Sequence, residues 1–222
     1  LEVSSILSSD ENLPTLDPTW MGAHDTPKEV THETYIDSLI NEQLPAIVDQ
    51  GIARSADVFC EPGWFSVEES EDILKASRTA GLNLRMHIDE FEESGGGQLA
   101  AELKVQTADH AYHTSLDTRL NMKEAGVMTG FLPGTPYAMG DRWPNMSEVH
   151  EYGIPYTLAT DFNPNCQTLS LPFMASLMVQ RCRVQPLDAL AAMTVNAAKS
   201  SPHTNGDHGI IQEGAIANIN IL

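Results

Sequence analysis

The 222-residue chain has no run of the roughly 18 apolar residues that a membrane-spanning helix needs, so no helix of that kind is expected. Cysteine is scarce. Cys60, Cys166 and Cys182 are an odd number at wide, irregular spacing, which excludes a disulfide framework and a cysteine-based zinc motif and makes a reducing cytoplasm the expected setting. Basic residues are few as well: 12 Lys and Arg stand against 31 Asp and Glu, a formal charge of −19. A surface of that sign repels phosphate backbones and excludes nucleic-acid binding. The acids are spread along the chain, a pattern suited to high salt, where self-repulsion is screened. Residues 1–10 carry neither a basic start nor an apolar signal core, and the first residue is not methionine, so the chain reads as a piece of something longer. The glycine run Gly95-Gly96-Gly97 lacks the spacing of a dinucleotide fingerprint.

What is present is a regular alternation. Residues 16–24 read as an extended stretch ending in His24, and 31–50 as a helix in which Pro45 predicts a kink or split. A strand over 56–61 ends in Glu61. Ser66 and Glu69 then form a capping box for a helix that Gly81 stops. The apolar segment 84–88 is too short for a helix and runs straight into His87, Asp89 and Glu90. Beyond a helix at 98–104 come a strand ending in His110, a helix over 115–125, a strand over 127–132 stopped by Pro133-Gly134, a helix over 145–152 and a strand over 154–161 ending in Asp161. Two helices, 171–182 and 186–199, close the run. Strands alternating with helices indicate a parallel sheet with crossover helices, either an open doubly wound sheet or a closed barrel. Polar groups at the ends of several different strands favour the barrel, where catalytic groups converge on one face.

Four strand ends carry the chemistry: His24, then His87 with Asp89 and Glu90, then His110, then Asp161. Imidazole nitrogens and a carboxylate on converging strands are ligands that zinc, iron or manganese accept. His32, His150, His203 and His208 fall on helix surfaces or in the tail and are assigned no role.

The stretches G-A-H-D (22–25), A-D-V-F-C-E-P-G (56–63), M-H-I-D-E (86–90), T-A-D-H (107–110) and A-T-D-F-N-P-N (159–165) resemble imidazolonepropionase. That is the third enzyme of histidine degradation and a metal-dependent member of the amidohydrolase superfamily. The resemblance implies an α/β fold: a TIM-type (β/α)8 barrel of which residues 1–205 hold about six of the eight units, with 206–222 as a strand returning toward a small β-domain. It implies one divalent metal ion, zinc or iron, with His87 and Asp161 as ligands. Glu90 would bind the substrate ring and move a proton, and Asp161 could share that work. A positively polarised His110 would help polarise the carbonyl under attack, and His24 would contact the imidazolone. Asn163 and the loop after it, including Asn165 and Cys166, would hold the product end of the ligand, although Asn165-Cys166 stand where a glycine and a threonine are often found. The implied reaction hydrolyses a small molecule, 4-imidazolone-5-propanoate, to N-formimidoyl-L-glutamate, in a cytoplasmic homodimer of the full-length form. Two alternatives stay open: another cyclic amidohydrolase or deaminase of the superfamily, and a catalytically incomplete scaffold. The second arises because the superfamily's first-strand His-x-His pair occurs nowhere in these 222 residues.

Overall fold

The computed structural model describes residues 1–10, 13–201, 204 and 206–219. Among the described residues, six parallel strands form one sheet: β1 (Thr19–Ala23), β2 (Ser55–Cys60), β3 (Asn83–Ile88), β4 (Thr107–His110), β5 (Met128–Phe131) and β6 (Tyr156–Leu158). Their spatial order follows the chain, β1-β2-β3-β4-β5-β6. A doubly wound sheet reverses strand order at a switch point, whereas a barrel adds each strand beside the last. Sequential order in an all-parallel sheet is therefore that of a partial TIM-type barrel.

The helices are α1 (Glu2–Leu7), α2 (His32–Ser38), α3 (Leu44–Gln50), α4 (Val67–Thr79), α5 (Gly96–Leu103), α6 (Leu116–Ala125), α7 (Gly134–Met139), α8 (Met146–Glu151), α9 (Leu171–Cys182), α10 (Pro186–Met193) and α11 (Val195–Lys199). The expected 31–50 helix is split: a π-helical turn, Leu39–Gln43, separates α2 from α3, and Pro45 lies in the first turn of α3. Proline has no N–H to return to the preceding turn, and the widened turn absorbs that loss. The capping box of α4 forms, with Glu69 N donating to Ser66 Oγ at 3.2 Å and Ser66 N donating to Glu69 Oε2 at 2.8 Å.

The helix expected at 98–104 begins two residues earlier, inside the glycine run, as α5. A Cβ at Gly96 would stand 2.8 Å from the Ile88 side chain, and one at Gly97 would stand 2.5 Å from that of Thr118, so glycine lets this helix lie against β3 and α6. Likewise Pro133-Gly134 ends β5 but also opens α7, with Pro133 at its cap. Proline tolerates that place because the N–H it lacks has no partner at a helix start. The tail at 206–219 runs as turns and bends and forms no strand among the described residues. A strand needs a neighbouring edge to pair with, and the sheet lies elsewhere. His203 and residues 220–222 lie outside the described residues.

One face of β2 to β4 (Ala56, Val58, Cys60, Leu84, Met86, Ile88, Ala108) packs with helix residues such as Ile73, Leu74, Leu99, Leu103 and Met122 in the larger core. A second core joins Phe131, Tyr156 and Leu158 to Met178, Val184, Ala189 and Ala192 of the α9–α10 region. No helix among the described residues is long and apolar enough to cross a membrane.

Candidate active site

Parallel strands deliver all their carboxyl ends to one rim, and most of the residues singled out in sequence meet there; buried Asp89 does not, its carboxylate accepting from Ser94 N at 3.2 Å and the Thr114 hydroxyl at 2.6 Å. A cavity of about 670 Å³ is lined by His24, His87, Glu90, His110, Asp161, Asn163 and Asn165, with Met21, Phe59, Trp64, Phe91, Met139 and Phe162 among its walls. Register explains part of this. Phe59 lies beside His87, and His87 beside Asp109, so Asp57, Phe59, His87 and Asp109 share the face opposite the core residues of the same strands. Alternation alone would put His110 with its register partner Ile88, on the core side. The left-handed backbone at His110 (φ 67°) and Ala111 (φ 50°) ends that alternation, and the His110 ring stands 5.1 Å from that of His87.

Behind two of these histidines lies Asp57, from the middle of β2 and 4% exposed. Its Oδ1 lies 2.8 Å from His87 Nδ1 and 3.0 Å from His24 Nε2, joining the strands on either side. Burial alone would raise this carboxyl's pKa, but the His87 charge and the hydrogen bonds from both histidines outweigh it and hold the group far below the usual carboxylate range. For His87, burial works against protonation, yet the Asp57 charge prevails and lifts the ring to about 9. His24 also stacks on Phe59, with ring centroids 5.9 Å apart. One ligand atom each from His24, Asp57 and His87 lies within 4.8 Å of the others, and two imidazoles with a carboxylate are a donor set that suits a divalent transition metal.

Glu90 is held through its backbone. Its N–H donates to Glu61 Oε1 at 2.5 Å, so the last residue to leave β2 fixes the loop leaving β3. Burial, reinforced by the charge of Asp161, pushes the Glu90 carboxyl up to about 7. Glu61 itself, 1% exposed, is pushed by burial to about 7 against the opposing bond from the Glu90 backbone. Glu90 Oε2 is 3.5 Å from His110 Nε2. Burial, with the charge of His87 added, lowers the His110 pKa well below 6.5, which favours the neutral ring.

Asp161 follows β6 in a left-handed conformation (φ 58°) and accepts a hydrogen bond from the Thr135 hydroxyl. Asn163 Oδ1 accepts from Asn165 N at 2.8 Å and from Cys166 N at 3.1 Å, so its amide shapes the loop as well as lining the cavity. Cys166 departs from expectation. Its buried thiol sits 3.5 Å from the Thr160 carbonyl, packs over Gly134 and does not line the cavity. A small sulfur side chain, which behaves as an apolar group, fills the space that the absent Gly134 side chain leaves.

Sequence reasoning missed Asp57 and the aromatic wall. A carboxylate inside the apolar strand A-D-V-F-C was a usable signal, because an Asp placed there must find partners. Phe59, Trp64 and Phe91 meet with centroids 4.9 to 6.2 Å apart, and they come from β2, the loop after it and the loop after β3, so no local pattern links them.

No family model matches the chain. It is 40% identical over 209 residues to the imidazolonepropionase of Alkaliphilus metalliredigens, covering 92% of this chain and 49% of that protein. It is 37% identical over 217 residues to that of Haloarcula marismortui, covering 97% and 51%. The chain is a homologue of imidazolonepropionases. It spans about half the length of these curated relatives, consistent with a C-terminal portion. Among solved structures, a guanine deaminase from C. acetobutylicum with bound guanine aligns with TM-score 0.67 at 14% identity, over 96% of this chain and 57% of that one. An adenosine deaminase from Xanthomonas campestris with bound zinc aligns with TM-score 0.62 at 13% identity, over 86% and 49%. At such identities the likeness establishes the shared fold alone.

Proposed function

We propose that this chain supplies the greater part of an imidazolonepropionase active site, which hydrolyses the ring C–N bond of 4-imidazolone-5-propanoate to give N-formimidoyl-L-glutamate. The observation that carries the reading is the single cavity shared by His24, His87, Glu90, His110 and Asp161, in a chain homologous to those enzymes. His87 and Asp161 would hold one divalent ion, zinc or iron, and their nitrogen and oxygen donors suit either metal. When bound, such an ion lowers the pKa of water toward neutrality and polarises a carbonyl. Glu90, with a carboxyl near 7, is matched to taking a proton from the attacking water and returning it to the departing ring nitrogen, a transfer Asp161 can share. Neutral His110 donates an N–H toward the oxygen on which charge develops, worth about 3 kcal/mol for a well-placed donor. His24 contacts the ring, while Asn163 and Asn165 on the rim hold the far end of the ligand. The reading includes a cytoplasmic homodimer, which sedimentation of the full-length protein and fractionation of cells check.

The test is hydrolysis of the imidazolone by metal-loaded protein carrying this chain, followed by loss of substrate absorbance. Glu90→Gln should lower kcat by roughly 10²- to 10⁴-fold with metal content retained. Turnover of a purine or pyrimidine in place of the imidazolone would sink the reading in favour of a deaminase.

A further inference from the structure

We propose that Asp57 is the positioning residue of this centre: its Oδ1, seated behind the rings of His87 and His24, turns His87 so that Nε2 is the atom presented to the cavity as a metal ligand. The inference rests on the functional reading above for the role of His87, but not for the identity of the substrate.

Three observations place Asp57 behind the histidines rather than among the ligands. The cavity is lined by His24 and His87 and not by Asp57, which is nearly inaccessible. The contact to His87 is made by Nδ1 at 2.8 Å, and a ring whose Nδ1 is engaged in this way has only Nε2 left to offer. Both histidines meet the same carboxylate oxygen, His24 through Nε2 at 3.0 Å, so one oxygen of the central strand braces a ring on each flank. An Nδ1–H bound to a buried carboxylate is the arrangement that fixes the tautomer and orientation of a metal-ligating histidine and raises its basicity. The competing possibility is direct ligation by all three residues, whose donor atoms lie within 4.8 Å of one another. That would require the ion to sit between the rings and the carboxylate, in space now occupied by two short hydrogen bonds.

The two arrangements give different results when cobalt(II) is titrated into the 222-residue chain against a chromophoric chelator. Asp57→Leu should weaken cobalt binding by roughly 10- to 100-fold, with the visible band of the bound ion unmoved because the ligand set is intact. Asp57→Asn, which keeps an acceptor for Nδ1, should recover part of that loss. His87→Gln and Asp161→Asn should remove the band. Thermal melts of each variant separate lost affinity from lost fold. The proposal is overturned if Asp57→Asn and His24→Gln both abolish uptake while Asp161→Asn spares it, since Asp57 would then be a ligand. It is equally overturned if both Asp57 variants change affinity by less than about twofold.

Should the chain take up no cobalt, ¹⁵N shifts of the neutral His87 ring decide. An Nδ1–H tautomer in the parent that reverts to Nε2–H in Asp57→Leu supports the proposal, and the same tautomer in both sinks it. A normal cobalt result with no imidazolone turnover would fail the functional reading alone. Turnover that survives Asp57→Leu unchanged would fail this one alone.

Discussion

The ends of β2 and β6 reach the same cavity by opposite means. At β2 the carboxylates lie in or directly after an inner strand paired on both sides, and each is spent on a neighbour: Asp57 on His24 and His87, Glu61 on the backbone of Glu90. At β6 only Tyr156, Thr157 and Leu158 are strand, and Asp161 comes later, on a left-handed residue in a loop with Phe162 more than half exposed. The β2 end is therefore built to hold other groups in place, while the β6 end offers its own group to the cavity. Ladder hydrogen bonds and burial give the first its rigidity. The second depends on a few side-chain contacts, those of Thr135, Asn163 and Cys166.

Substitutions can break or sharpen that contrast. The largest stability effect is expected at Gly134, where a Cβ would stand on the Thr160 carbonyl and within 2.5 Å of Cys166 Sγ. Gly134→Ala should cost roughly 1–3 kcal/mol by overpacking, read from urea denaturation, and should displace Asp161 without disturbing the β2 hydrogen bonds. An intact loop with full stability would remove the claim that close packing holds the β6 end.

Next comes Glu61, on the other side of the contrast. Its carboxyl sits at about 7 in the fold against an ordinary 4.5, so the folded chain binds a proton more tightly than the unfolded one. Stability contributed by that proton is complete at low pH and falls as pH rises from about 4.5 to about 7. Glu61→Gln keeps an acceptor for the Glu90 N–H and loses the titration, so its melting temperature should gain on the parent across that window and hold the gain at pH 8. Parallel melting curves at pH 5 and pH 8 would refute it.

The smallest effect is expected from Asn163→Ala. It removes the acceptor of two loop N–H groups and should cost about 1 kcal/mol. Because β2 is untouched, the ¹⁵N signals of His24 and His87 should stay where they are. If they move, the two ends are more tightly coupled than their hydrogen bonds indicate.

Much of the fold was legible in the chain because alternation and stop signals are local. Five of the six strands fall where apolar segments end in polar residues, β5 falls where Pro133-Gly134 stop one, and Ser66 with Glu69 starts α4 as a capping box does. The misreadings came where a local signal served a distant contact. Gly96 and Gly97 stood outside the expected 98–104 helix, yet they open α5 and are small so that it can lie on Ile88 and Thr118. Cys166 sits in a loop full of polar neighbours, and only the approach of Gly134 from α7 accounts for its thiol lying outside the cavity lining. Asp57 lay inside a quoted motif, yet its partners come from 33 residues upstream and 30 downstream.

By itself, the sequence determined which residue types end each strand and that the strands run parallel, since short apolar segments separated by helices permit little else. It determined as well that imidazoles and carboxylates would crowd one rim. Tertiary structure alone decided which of them touch and in what charge state. Register sets Asp57 between two histidines, backbone dihedrals swing His110 off the core side, and burial brings Glu61 and Glu90 near neutrality. Those outcomes follow from desolvation and from distances between separate strands, and neither is encoded in the spacing of residues along one strand.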